Sequence, residues 1–175
     1  GCPWRCVFCC SDALMTTRYI MKSPKRVVEE MKDVADRFPY IRHLYITDDV
    51  LTFWPEHITE ICDRMDAEGL RFTFEGGTRA NLVNDKLIER LARSGLIRLS
   101  FGLETIDPKM RVTMQKRVPM EAYPEANRIC GKHGVEAMNS LMMTSAAMTT
   151  LCSRLSNCRL RRFISRRLSC LPRGA

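Results

Sequence analysis

No apolar run in these 175 residues approaches the roughly 20 needed to cross a bilayer, so no membrane span is expected. The chain opens without a charged n-region, an apolar h-region or a cleavage site, so a secreted disulfide framework is not expected either. Its nine cysteines are therefore read for a reducing, cytoplasmic setting. The histidines, His43, His57 and His133, share no ligand spacing with them. No second close cysteine pair follows the first cysteines, which counts against a structural zinc site with its matched ligand pairs. From Thr144 to Ala175 there is no acid and no lysine, only seven arginines, which carry most of the +8 net charge. Setting those seven aside leaves 21 basic residues against 20 acidic ones, so the body's charge argues for no polyanionic partner. No aromatic or glycine motif for nucleic acid accompanies the tail, and no nucleic acid is expected.

What is present is concentrated in the first nine residues, GCPWRCVFC, where Cys2, Cys6 and Cys9 form a CxxxCxxC array with Phe8 just before the last thiol. Three thiolates on one short loop can each take a corner of a cubane iron–sulfur cluster, leaving one iron open to a substrate or cofactor. Cys10 follows Cys9 directly and is read as a packing bystander. Zinc remains the alternative ligand for this loop, and a catalytically silent metal-binding interaction module the alternative role.

The body alternates helices and strands. Ser23 and Pro24 read as the cap and first position of a helix running to about Phe38, with Val27, Val28, Met31, Val34 and Phe38 on its inner face. His43 to Thr47 reads as a strand, and Pro55 to Glu68 as a helix burying Ile58, Ile61, Cys62 and Met65 before Gly69 stops it. Leu70 to Glu75 reads as a strand, Gly76 and Gly77 as a turn, and Asn84 as the cap of a helix on Leu87, Ile88 and Leu91 that ends at Gly95. Leu96 to Phe101 reads as a strand and Gly102 to Asp107 as a loop. A helix from about Pro119 to His133 and a strand from Val135 to Met143 complete the pattern. Strands alternating with helices at this period predict a parallel sheet with helices outside it.

Such sheets gather their sites at the carboxyl ends of the strands. Asp48 and Asp49 follow the first strand, Arg79 follows the second, and Ser100 and Glu104 stand at the end of the third. Each has a plainer reading: a turn or cap for the aspartates, a solvated loop acid for Glu104, and for Arg79 a surface cation paired with Glu75. The eleven methionines are read as core filler.

The cysteine loop, with GCPW around it, resembles that of radical S-adenosylmethionine (SAM) enzymes, most closely the cobalamin-binding-type branch. The resemblance spans roughly Gly1 to Met143. It implies a 4Fe-4S cluster on Cys2, Cys6 and Cys9, with Phe8 near the adenine of SAM. Asp48–Asp49 in TDDVLTF resembles the segment that takes the SAM ammonium, and Glu104 in GLET the residue that contacts the ribose. Arg79 and Ser100 resemble further cofactor-proximal positions. The implied fold is α/β, a partial (βα)6 TIM-like barrel lacking its first strand and last βα unit. The implied chemistry is reductive cleavage of SAM to a 5′-deoxyadenosyl radical acting on a small-molecule substrate, with electrons from a flavodoxin or ferredoxin. Methylation or rearrangement with cobalamin held on a missing domain is one outcome; a methylthiotransferase-like reaction is the other. Residues 1–143 are thus expected to be a core fragment. Residues 144–175 are expected to be an aberrant, partly helical or disordered tail, with a basic amphipathic helix as its alternative.

Overall fold

A short helix, α1 (Ser11–Leu14), follows the cysteine loop in the computed structural model, which describes residues 1–14 and 18–142. The next helix, α2 (Pro24–Arg37), starts as its sequence requires: Ser23 Oγ accepts from the Arg26 N–H at 3.3 Å, and Pro24 occupies the first turn. Val28 and Met31 are buried, but Phe38 is the C-cap and stands exposed. Its backbone has left helical geometry, which takes the ring off the buried stripe.

The first strand, β1 (His43–Ile46), is followed by α3 (Pro55–Ala67), whose Ile58, Ile61, Cys62 and Met65 are all buried. Gly69 adopts a φ of +67°, the left-handed conformation that ends the helix. The next strand, β2 (Thr73–Thr78), begins later than expected and runs through Gly76 and Gly77 instead of turning there. The reason lies at Gly76, where a Cβ would stand 3.0 Å from the Leu51 side chain and 3.3 Å from the Ile46 carbonyl. Glycine there serves close approach rather than reversal. After a 3-10 turn, Asn84 Oδ1 accepts from Leu87 N–H (3.0 Å) and caps α4 (Asp85–Arg93).

The third strand, β3 (Leu96–Glu104), outruns its expected end by three residues. Ser100 consequently lies inside the strand and Gly102 belongs to it. Helix α5 (Pro108–Met114) was not expected, although Asp107 caps it through a 2.7 Å bond from Met110 N–H and Pro108 opens it. The final elements are α6 (Ala122–Lys132), with Pro124 in its first turn, and β4 (Glu136–Leu141).

The four strands pair in parallel in the order β1-β2-β3-β4. Sequential order with right-handed crossovers puts every connecting helix on one face, which is the winding of a TIM-like barrel, here an open arc. The helices bury Ile88, Leu91, Leu99 and Phe101 at 0 % exposure, each worth about 1.5–3 kcal/mol. On the opposite face Glu75, Arg98 and Glu136 stand in direct register. Arg98 lies 2.7 Å from each carboxylate, and His43 Nε2 stands 3.4 Å from Glu75, so one polar ladder crosses all four strands. Glu75 is thereby committed to Arg98 and His43 and not to Arg79. One layer up, Gly77, Ser100 and Met138 are aligned.

Gly1–Leu141 is a compact unit in itself. Of the remaining residues only Met142 is described, so the strand end at Met143 and the arginine-rich tail lie outside the described residues.

Candidate functional site

The cysteine loop is held from several directions. Within it, the Cys9 N–H donates to the Cys6 carbonyl at 3.0 Å, folding the CxxC half into a turn. Val7 N–H donates to the Met114 carbonyl at 3.2 Å, which fastens the loop to the end of α5. The thiols of Cys2, Cys6 and Cys9 are free, as is Cys10. Partial burial raises the Cys2 thiol above its ordinary pKa, and the nearby Asp49, Cys6 and Cys9 push it in the same direction.

Among the described residues no three His, Cys, Asp or Glu side chains converge as donors for one metal ion. A single zinc would need its thiolates to meet about 2.3 Å from one point. A cubane offers a separate iron to each thiolate, so a more open triad of soft sulfur donors suits it.

Asp48 and Asp49 are neighbours with different surroundings. The Tyr19 hydroxyl lies 3.0 Å from both Asp48 carboxylate oxygens and 2.9 Å from the Val50 carbonyl, and Val50 N–H donates to Asp48 at 2.9 Å. Burial and the Asp48 charge hold the Tyr19 proton on, well above the ordinary phenol range. Asp48 is therefore occupied within the protein. Asp49 faces the cysteine loop, where Ser11 Oγ donates to it at 3.4 Å and Cys9 Sγ lies 3.3 Å from the same hydroxyl.

The loop after β1 is fixed to β2 from below. Leu51 N–H donates to the Gly77 carbonyl (2.8 Å), and the buried hydroxyls of Thr52 and Thr78 meet at 2.6 Å, with Thr52 donating onward to the Leu82 carbonyl (2.9 Å). Above, aromatic rings join the loops. Phe53 meets Trp4 edge-on at 5.2 Å and Tyr19 at 4.5 Å, and the Arg79 guanidinium lies 4.2 Å over the Trp4 ring.

Arg79 is buried, not a surface cation. Its Nη1 stands 3.9 Å from Cys6 Sγ, its Nη2 donates to the Arg117 carbonyl at 3.4 Å, and its Nε has no acceptor. Glu104 sits at the end of β3 with φ +66°, and Thr105 N–H donates back to the Leu103 carbonyl at 2.8 Å. That is the rarer, strained γ-turn, and a residue held so costs about 1–3 kcal/mol. Lys116 pairs with Glu104 and also lies 5.8 Å from the ring of Phe8, which is itself part exposed.

The structure thus brings Cys2, Cys6, Cys9, Phe8, Asp49, Arg79 and Glu104 to one rim, while Ser100 is set lower on the open face. Trp4, Ser11, Tyr19 and Lys116 were not singled out from sequence. Trp4 and Ser11 flank the cysteines in the chain, which was the one available signal; Tyr19 and Lys116 reach the rim only through tertiary contacts.

A family model described as the radical SAM superfamily matches residues 1–146. The chain belongs to the radical SAM superfamily. It is 27% identical over 143 residues to an uncharacterized methyltransferase of Pyrococcus horikoshii, covering 82% of this chain and 31% of that protein. With the hopanoid C-3 methylase of Methylococcus capsulatus it shares 25% over 144 residues, 81% of this chain and 27% of the methylase. The chain therefore spans about a third or less of the length of these relatives.

Among solved structures it superposes on the radical SAM methyltransferase TsrM from Kitasatospora setae, determined with cobalamin and a [4Fe-4S] cluster, with a TM-score of 0.71. That match has 20% identity and covers 81% of this chain and 29% of TsrM. The cobalamin-dependent radical SAM enzyme OxsB superposes with a TM-score of 0.64 and 16% identity, covering 77% of this chain and 22% of OxsB. These superpositions establish the partial radical SAM barrel as the fold.

Proposed function

We propose that this radical SAM core belongs to a cobalamin-dependent type of methyltransferase, in which Cys2, Cys6 and Cys9 hold a 4Fe-4S cluster and the surrounding rim binds SAM. The observation that carries the proposal is the Cys9–Ser11–Asp49 contact, which sets the Asp49 carboxylate, also 3.6 Å from the Gly1 ammonium, against the third thiol. When bound, the cluster supplies an electron for breaking a carbon–sulfur bond of SAM.

The chain's own residues have distinct tasks. Asp49 accepts from the SAM ammonium in a charge-assisted bond, while Asp48, already bonded to Tyr19 and Val50, shapes the loop that presents it. Glu104 accepts from ribose hydroxyls through the oxygen that Lys116 leaves free, and its γ-turn aims it. Phe8 offers an apolar face to the adenine. Ser100, lower on the open face, is assigned to the cofactor-proximal lining. The carboxylates and aromatic rings fix orientation and exclude water from the reacting bonds.

Methyl transfer to a small molecule follows the two relatives named above, a methyltransferase and a methylase. It is favoured over methylthio transfer on that ground. Cobalamin would be held on a domain other than this radical SAM core, and a flavodoxin- or ferredoxin-like protein in the cytoplasm would supply electrons. Among the described residues no helix is long and apolar enough to cross a membrane.

Anaerobic reconstitution with iron and sulfide, followed by electron paramagnetic resonance with and without SAM, tests the proposal. The expected result is a reduced-cluster signal that changes on adding SAM. A signal indifferent to SAM, or zinc in place of a cluster, would overturn it.

A further inference from the structure

Arg79 has a burial that its protein partners do not account for. Its side chain belongs to a residue only 8% exposed, and among the described residues no carboxylate pairs with it. Lys116 and Arg98, by contrast, each have one: Lys116 has Glu104, and Arg98 has Glu75 and Glu136. The partners Arg79 does have are the Trp4 ring, the Arg117 carbonyl and the Cys6 sulfur, and its Nε has no acceptor at all. A buried guanidinium without a counter-charge is strongly unfavourable, so a site that keeps one is built for a negative group. An atom able to carry that charge, Cys6 Sγ, stands 3.9 Å from its Nη1.

We infer that Arg79 is a positioning and tuning residue for the cluster: held over Trp4, it supplies the positive charge beside Cys6 that stabilises the reduced form. This rests on the cluster assignment made above. A cubane on three thiolates is net negative and gains one further negative charge when a low-potential one-electron donor reduces it; no bond changes and no proton moves. A fixed cation at the ligating sulfur favours the more negative state, and burial reduces the screening. The Arg79 fork is pinned on its flat side by Trp4 and at Nη2 by Arg117, so its charge cannot swing away to solvent. Trp4 lies between Cys2 and Cys6 in the loop, so the element that binds iron also anchors the cation.

The test is a dithionite titration of the full chain after anaerobic reconstitution, read by electron paramagnetic resonance without SAM, for wild type, Arg79→Met and Arg79→Lys. Met fills the slot along Trp4 without charge. Iron and sulfide content should stay at the wild-type level in both variants. The midpoint potential should move in the negative direction in Arg79→Met and by less in Arg79→Lys. A wild-type midpoint in Arg79→Met with its cluster intact would overturn the inference, as would a loss of cluster from a folded variant. If Arg79→Met does not fold, Trp4→Leu, which removes the platform, should shift the midpoint in the same direction, and an unchanged midpoint there would refute the role. Failure of the wild-type chain to assemble any cluster would instead refute the cluster assignment itself.

Discussion

Lys116 Nζ lies 2.9 Å from Glu104 Oε1, in a pair only 11% and 14% exposed that passes directly over Gly102. A Cβ at Gly102 would collide with both charged ends. Because those ends belong to flexible side chains, the backbone need not move; the pair would have to part. Gly102→Ala and Lys116→Met are each expected to cost about 2 kcal/mol, the penalty for leaving a part-buried charge unpaired. The double variant should cost much less than the sum, since both changes break one interaction. Chemical denaturation of the four proteins measures this; additive losses would show that the pair is not what Gly102 protects.

Alanine at Cys2, Cys6 or Cys9 should abolish iron and sulfide incorporation, whereas Cys10→Ala should leave both at wild-type levels. Equal loss at Cys10 would refute the assignment of ligands. Metal analysis after anaerobic reconstitution reads all four variants directly.

The two adjacent aspartates should separate in function. Asp49→Asn is expected to weaken SAM binding by roughly 10- to 100-fold, the loss of a charge-assisted bond, with little effect on stability. Asp48→Asn should lower stability through Tyr19 and Val50 and affect SAM binding less. Titrating the cluster signal with SAM, alongside thermal unfolding, distinguishes them. The reverse pattern would exchange the roles.

Stability should fall at alkaline pH. Burial raises the thiols of Cys62 and Cys130 from 9.0 to about 11 each. Between those values the folded chain keeps protons that the unfolded chain has released, so stability decreases as pH rises through that window. The full effect is about 2–3 kcal/mol per thiol above pH 11. Cys62→Ala should show a shallower alkaline limb than wild type in denaturation from pH 8 to 11. An unchanged slope would mean that Cys62 does not titrate on unfolding.

Local signals carried well from sequence to structure. Ser23 and Asn84 cap the helices they were expected to cap, and Gly69 and Gly95 end theirs with positive φ. The misreadings occurred where a residue type serves two purposes. Gly76 and Gly77 looked like a turn because glycine so often makes one, but at Gly76 it permits Leu51 to approach β2. Asp107–Pro108 had the same cap signature as Ser23–Pro24, yet α5 is only seven residues long and carries no buried face, so no periodicity announced it. The cysteine loop was legible because its three thiols lie within nine residues. Its surroundings were not, since Arg79 meets Cys6 across 73 positions and Tyr19 meets Asp48 across 29. Sequence identified both aspartates, but only their three-dimensional neighbours tell them apart.

The hydroxyl contact between Thr52 and Thr78 has a consequence for inheritance and engineering. Both groups are buried, and Thr52 also donates to the Leu82 carbonyl, so the loops leaving β1 and β2 share a buried polar joint. Neither loop can be exchanged alone without stranding a hydroxyl on the other. A graft that moves this acidic loop into another barrel would have to bring the Thr78 segment with it, making the two loops one transferable module.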